Sequence, residues 1–244
     1  MRPFPLMLFA AGRGTRMGAL TADRPKPLVQ VAGKPLIDHA LTIAEGADTA
    51  PKVANLHYMA QMLDARLVAR GFALSHETTL LETGGGLRHA LPLLGRDRDP
   101  GRDPGPVMTL NSDAVWTGEN PLLQLARAWE PDRMDGLLLM LPAAKATGHT
   151  GTGDFLRDAD GRLSRALGAS GEVYLGAQIL QTADLAAIPQ QVFSLNLIWD
   201  RMISRDRLYG LIHRGGWCDV GRPQSIALAE ALLAGALPAG SPDA

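Results

Sequence analysis

The sequence has a single cysteine, Cys218, among 244 residues, so no intrachain disulfide and no zinc-finger spacing can be drawn. That usage fits a reducing cytosol. Charge of one sign is also missing: 24 Lys and Arg stand against 25 Asp and Glu, a formal net charge of −1. A general nucleic-acid binder is not expected, and any affinity for anions must come from a local site. No apolar run approaches the roughly 20 residues that cross a bilayer, so no membrane partner is expected. The apolar run at 5–10 passes straight into a loop of Gly and Arg with no cleavage-site region, which suits a buried strand better than a signal peptide. The six histidines show no metal-ligand spacing, and none has an evident nucleophile beside it.

What is present is an ordinary globular composition, 46% hydrophobic and 20% charged, enough for a sizeable core. The pattern predicts strands at 5–10, 52–58, 72–75, 106–111 and 137–141. Helices are predicted at 35–44, 59–70, 86–94 and 121–129. Such alternation argues for a mostly parallel sheet covered on both faces. The second half changes character. A hairpin turns at Asp158–Gly161, a strand follows at 172–180, and Ser194 is a candidate cap for a helix carrying Leu195, Ile198 and Met202. Short strands at 208–212 and 217–220 precede a closing helix at 223–233. The expectation is one domain over 1–236 with a flexible tail at 237–244. The low-complexity insert at 95–105 reads as a solvated loop, with a lid as the alternative.

Four segments carry candidate chemistry. Ala10–Gly18, continued by Pro25-Lys26-Pro27, is a glycine loop after a buried strand. Its small residues let backbone N–H groups approach phosphate oxygens. It is neither a dinucleotide fingerprint, since Met17 stands where the third glycine is needed, nor a Walker A loop, since Gly-Lys-Ser/Thr is absent. Arg16 can fork onto phosphate, and Lys26 is a point charge fixed between prolines, which cannot lie inside a helix or a central strand. The bland alternative is a turn with surface cations. In Asn111-Ser112-Asp113, an acid at the carboxyl edge of a parallel sheet could hold a metal over a phosphate, or could merely cap a turn. Trp217-Cys218-Asp219 puts a second acid on a short strand, and Asp113 with Asp219 would suit Mg²⁺ if the fold brings them together. Glu82-Thr83-Gly84-Gly85-Gly86 reads as a loop opening a helix, either a rest for a base or ribose or a flexible connection. Cys218 is most simply a small buried hydrophobe.

Taken in order, these segments resemble the sugar-1-phosphate nucleotidyltransferase family. The shared blocks are Ala-Ala-Gly-x-Gly-x-Arg-Met at 10–17, Pro-Lys-Pro-Leu at 25–28 with Val31–Leu36, Asp113 after the central strand, and Trp-x-Asp-Val-Gly at 217–221. The resemblance implies an α/β fold: a Rossmann-like mixed, mostly parallel sheet flanked by helices, with an acceptor-binding elaboration. It implies Arg16, Lys26, Asp113 and Asp219 as catalytic residues, with Arg16 on the β/γ phosphates and Lys26 on the α and acceptor phosphates. Mg²⁺ is implied on Asp113 and Asp219. Ala11, Gly12, Arg13, Gly14, Thr15, Glu77, Glu82, Thr83 and Gly84 are implied for the nucleotide, and Asn111, Gly153, Asp154 and Gly176 for the sugar.

Within that family the segments 81–86 and 148–155 look most like the bacterial N-acetylmuramate 1-phosphate uridylyltransferases of cell-wall recycling. Mannose-1-phosphate guanylyltransferases are the alternative. Thr152, where a basic residue is usual, and Ser112, where glycine is usual, depart from the pattern. The implied partners are a nucleoside triphosphate, UTP first, and a sugar 1-phosphate, with the oligomeric state open. Two rival classes read less well. A catalytically silent binding protein need not retain all four catalytic residues, and an NAD-dependent oxidoreductase lacks its fingerprint.

Overall fold

The computed structural model describes residues 3–95 and 105–236. The tail at 237–244 lies outside the described residues, as does the insert apart from its end glycines, Gly95 and Gly105.

The chain opens with β1 (Phe4–Phe9), an apolar run whose interior is fully buried, as a central parallel strand requires. Two 3-10 turns, Thr15–Thr21 and Lys26–Leu28, lead to a ribbon of β2 (Gln30–Val31) and β3 (Lys34–Pro35). Lys26 thus opens a one-turn helix, which the flanking prolines allow because only its first turn is used. Next come α1 (Leu36–Glu45), β4 (Thr49–Leu56), α2 (Gln61–Val68), β5 (Phe72–His76) and α3 (Glu82–Ala90). The second half holds β6 (Pro106–Asn111), β7 (Ala114–Trp116), α4 (Pro121–Ala128), β8 (Gly136–Pro142), β9 (Phe155–Arg157) and β10 (Leu163–Arg165). It ends with β11 (Glu172–Gln181), α5 (Asn196–Ile203), β12 (Leu208–Ile212), β13 (Trp217–Asp219) and α6 (Gln224–Leu233).

Among the described residues nine strands form one sheet, with β5, β4, β1 and β6 adjacent and parallel. Beyond β6, β11 runs antiparallel and carries β8 and then β12 on its other side. The β9–β10 hairpin joins the start of β11. All nine run the same way except β10 and β11, so the sheet is mixed and mostly parallel. Leu6 and Leu8 of β1 enter one core with Ile37, Leu41, Leu63 and Leu122, while Met7 enters the opposite core with Leu87, Ile198 and Met202. Alternate residues therefore anchor helices on both faces. A third cluster of Met17, Val29, Val31, Leu36, Val115, Cys218 and Val220 lies beneath the glycine loop.

From β1 the chain steps outward to β4 and β5, then returns to place β6 on β1's other side. The strand order reverses between β1 and β6. Loops leaving the carboxyl ends of two such strands diverge and leave a crevice.

Three expectations change. Helix α3 begins at Glu82 rather than Gly86, so Gly84, Gly85 and Gly86 lie inside a helix and not in a loop. Strand β7, only three residues long, was not expected; it pairs antiparallel with β13. Helix α5 begins at Asn196, and Ser194 assists from just outside, its Oγ accepting the Asn196 N–H at 3.2 Å.

His213 closes the end of β12 against α4. The Gln124 amide donates to its Nδ1 at 2.9 Å, and Nε2–H faces the Thr117 carbonyl at 3.2 Å. This pattern needs the neutral ring, and burial lowers the His213 pKa below its ordinary 6.5. Because the folded value lies below the unfolded one, His213 contributes stability above about pH 6.5 that is lost as pH falls toward the folded value. Melting temperature is expected to fall on acidification through that window, and less steeply in His213→Gln. Equal slopes for wild type and variant would contradict the assignment.

Candidate active site

The crevice at the β1/β6 reversal is a cavity of about 360 Å³, lined by residues that include Ala11, Gly12, Asn55, Glu82, Asn111 and Asp113. Its floor is the carboxyl edge of the sheet, and the glycine loop and the start of α3 form its walls.

At its edge sits a cluster of charge. Lys26 is 7% exposed, and its Nζ donates to Asp113 Oδ2 at 2.9 Å. The lysine is held there by the glycine loop: Gly14 has φ +64°, and a Cβ on it would meet Lys26 Cβ at 2.6 Å. Asp113 follows Ser112, whose Oγ donates to the Phe9 carbonyl at 2.7 Å and ties the end of β6 to the end of β1. The departure from glycine at this position is thus a working contact.

The β7–β13 ladder pairs Ala114 with Asp219, and the Val220 N–H donates to the Asp113 carbonyl at 3.0 Å. Two acids far apart in sequence are therefore adjacent. Arg16 approaches the same place. A Cβ on Gly221 would lie 2.5 Å from Asp219 Oδ2 and 3.2 Å from Arg16 Nη2. Burial pulls the Asp113 carboxyl upward, but Lys26, through charge and hydrogen bond, and Arg16 hold it below its ordinary value. Burial and the neighbouring Asp113 charge push Asp219 the other way, above the usual carboxylate range. Cys218, fully buried, has its thiol pushed up to about 12 by burial and the Asp219 charge, so it behaves as a small hydrophobe.

The other residues singled out in the sequence divide. Ala11, Gly12, Glu82, Thr83 and Asn111 line the cavity. Glu82 holds φ +60°, a strained left-handed backbone that turns its side chain outward at the rim. Gly176, at an irregularity of β11, leaves room for Asn111, since a Cβ there would meet Asn111 Nδ2 at 2.8 Å. Arg13 and Thr15 are exposed on the glycine loop.

Glu77 and Gly84 lie behind the wall. Glu77 is 5% exposed with both carboxylate oxygens bonded within the fold. The Gly84 N–H is already donated to the Phe193 carbonyl at 2.9 Å, so Gly84 packs rather than offering its backbone to a base. Gly153 and Asp154 do not line the cavity. Gly153 packs on Gly171, and the Asp154 carboxylate accepts the Tyr174 N–H at 2.9 Å.

Two residues passed over in the sequence also belong here. Asn55, polar at the carboxyl end of an apolar strand, lines the cavity, and that position was the available signal. His149 lies near enough for its charge to act on Asp219, and its buried Nε2 has no partner among the described residues.

A glycine loop with a buried lysine, facing two acids at a sheet reversal, is an arrangement for phosphate groups. A profile for the MobA-like NTP transferase domain matches residues 6–157. The chain belongs to the MobA-like NTP transferase family. Among relatives of this NTP transferase, the N-acetylmuramate alpha-1-phosphate uridylyltransferase of Caulobacter vibrioides is 41% identical over 93% of this chain and 96% of its own length. A mannose-1-phosphate guanylyltransferase catalytic subunit beta from Drosophila pseudoobscura is 26% identical over 89% of this chain, but over 59% of its own length. A solved UDP-glucose pyrophosphorylase complexed with UDP-glucose shares the fold, with a TM-score of 0.72 and 15% identity over 96% of this chain and all of its own. The resemblance read from the motifs, to sugar-1-phosphate nucleotidyltransferases, is borne out at the level of the family.

The seating of Lys26 gives a contrast between two glycines. Gly14→Ala must both hold a left-handed alanine and push on Lys26, which together cost about 1–3 kcal/mol. At Gly12 a Cβ meets nothing within 4 Å. Urea melts are expected to show that loss for Gly14→Ala and little change for Gly12→Ala; the same loss in both would contradict this seating.

Proposed function

We propose that this NTP transferase moves a nucleotidyl group from a nucleoside triphosphate, UTP in the first instance, to a sugar 1-phosphate, with N-acetylmuramate 1-phosphate as the acceptor. The products are a nucleoside diphosphate sugar and pyrophosphate. The carrying observation is the ion pair of buried Lys26 with half-exposed Asp113, beside Asp219 and Arg16 at the mouth of the crevice. The 41% identity to a uridylyltransferase of that acceptor supports the choice of substrates.

The chemistry follows from charge. A sugar phosphate has its second pKa near 6, so its attacking oxygen is already anionic at neutral pH and needs no general base. The obstacle is repulsion between that anion and the triphosphate. Lys26, already desolvated, stands between the α-phosphate and the acceptor phosphate. Arg16, exposed and able to swing, takes the β and γ oxygens and the charge of the departing pyrophosphate. Ala11, Gly12, Arg13, Gly14 and Thr15 offer backbone and cation to the triphosphate, and Glu82 and Thr83 border the base and ribose. Asn111, with Gly176 behind it, faces the sugar. The acceptor's atoms then displace pyrophosphate in line at the α-phosphorus, so one P–O bond forms as one breaks.

Asp113 and Asp219 fit a divalent cation such as Mg²⁺. Among the described residues no group of three or more His, Cys, Asp or Glu converges into an all-protein cage. Two adjacent carboxylates with substrate phosphates and water are the donor set Mg²⁺ ordinarily takes. When bound, it would neutralise triphosphate charge next to Lys26. Among the described residues no helix is long and apolar enough to cross a membrane.

Pyrophosphate release with Mg²⁺, each nucleoside triphosphate and a panel of sugar 1-phosphates tests this reading. UTP with N-acetylmuramate 1-phosphate is expected to be fastest, and GTP with mannose 1-phosphate to be slow. Faster guanylyl transfer would reverse the substrate assignment, and no pyrophosphate from any pair would leave a binding protein. Asp113→Asn and Asp219→Asn are each expected to fold and to lose on the order of 10²–10³ in turnover; near wild-type turnover in either would contradict its role.

A further inference from the structure

Asn55 ends the apolar stretch of β4, where a polar side chain is costly unless fully bonded, and it is 3% exposed. Its Oδ1 accepts the Ala10 N–H at 3.0 Å, and its Nδ2 donates to Glu77 Oε1 at 2.7 Å. The other oxygen, Glu77 Oε2, accepts the Leu81 N–H at 2.9 Å. The chain of bonds therefore starts one residue before Ala11–Gly12 and ends one residue before Glu82–Thr83, the two walls of the cavity. Helix α3 comes close only because residue 86 is glycine. A Cβ there would lie 2.6 Å from Glu77 Oε1 and 2.8 Å from Asn55 Nδ2.

We propose that Asn55 and Glu77 are positioning residues that hold the phosphate-side loop and the Glu82–Thr83 wall at a set separation, so that nucleotide binding depends on them and acceptor binding does not. The inference rests on the nucleotidyl-transfer reading. The acceptor side, Asn111 and Gly176, is built on β6 and β11 and takes no bond from this pair. A buried polar pair serving only stability would affect both substrates alike.

The test exploits the symmetry of amide and carboxylate. Asn55→Asp alone sets two carboxylates against each other and removes the donor to Glu77. Adding Glu77→Gln restores every bond: the new carboxylate still accepts from Ala10, the new amide donates to it, and the amide oxygen accepts from Leu81. In Asn55→Asp the KM for the triphosphate is expected to rise on the order of tenfold, with the KM for the sugar 1-phosphate within about twofold; the double variant should return to within about threefold of wild type. Should Asn55→Asp fail to fold, Glu77→Gln alone, which leaves one donor facing another, is expected to show the same split.

Equal rises in both KM values, an unchanged triphosphate KM, or no recovery in a folded double variant would overturn the inference while leaving the reaction intact. If wild type releases no pyrophosphate, nucleotide affinity by calorimetry takes the place of KM, and the same loss and recovery is expected. Absence of nucleotide binding in wild type would overturn both.

Discussion

Two carboxylates, Asp113 and Asp219, are forced together by backbone they cannot escape, and much of the molecule is arranged around that constraint. The β7–β13 ladder and the Val220 N–H to Asp113 bond bring them side by side. Left alone they would repel, and the raised pKa of Asp219 reflects that repulsion after burial. Lys26 offsets it with a direct bond, and the charge of nearby Arg16 adds to this. Burying a lysine requires such a partner, because an unpaired buried charge is far more costly than a paired one. The glycine loop, the prolines about Lys26 and the small core under Met17 serve to hold that cation in place. Two acids and two cations gathered this way balance in formal charge, which is the basis for proposing a polyanion with its own cation as the ligand.

The position of the cluster follows from topology. Connections outward through β4 and β5, then back to β6, leave a crevice where the loops after β1 and β6 part. The first loop carries the glycines and Arg16, and the second carries Asp113. Strand β11, running against its neighbours, extends the sheet with Gly176 facing Asn111, so the second half of the chain grows from the same sheet as the first. Distances between the two halves are then set by ladder hydrogen bonds rather than by loops.

Much of this was legible in the sequence. The strands of the parallel core showed as short apolar runs because they are buried on both faces, and Lys26 between prolines could be neither helix interior nor central strand. The pattern predicts the start of α3 too late, because three glycines are weak helix formers and Glu82 itself adopts a left-handed φ. Their reason is packing: Gly84 meets Phe193, Gly85 meets the Gln191 carbonyl and Gly86 meets the Asn55–Glu77 pair. Tertiary contact of that kind leaves no periodic trace. Strand β7 was too short to show any alternation. Asp113 and Asp219 could be named singly, but their adjacency depends on a ladder between segments about a hundred residues apart, which spacing does not reveal.

The central claim is that the acid pair and its two cations form a site completed by a triphosphate. Electron paramagnetic resonance of Mn²⁺, standing in for Mg²⁺, tests it most directly, with a non-hydrolysable triphosphate analogue added or withheld. The account predicts tight Mn²⁺ binding that appears with the nucleotide and is lost in Asp219→Asn. Binding that is equally tight without nucleotide, or unchanged in that variant, would contradict it.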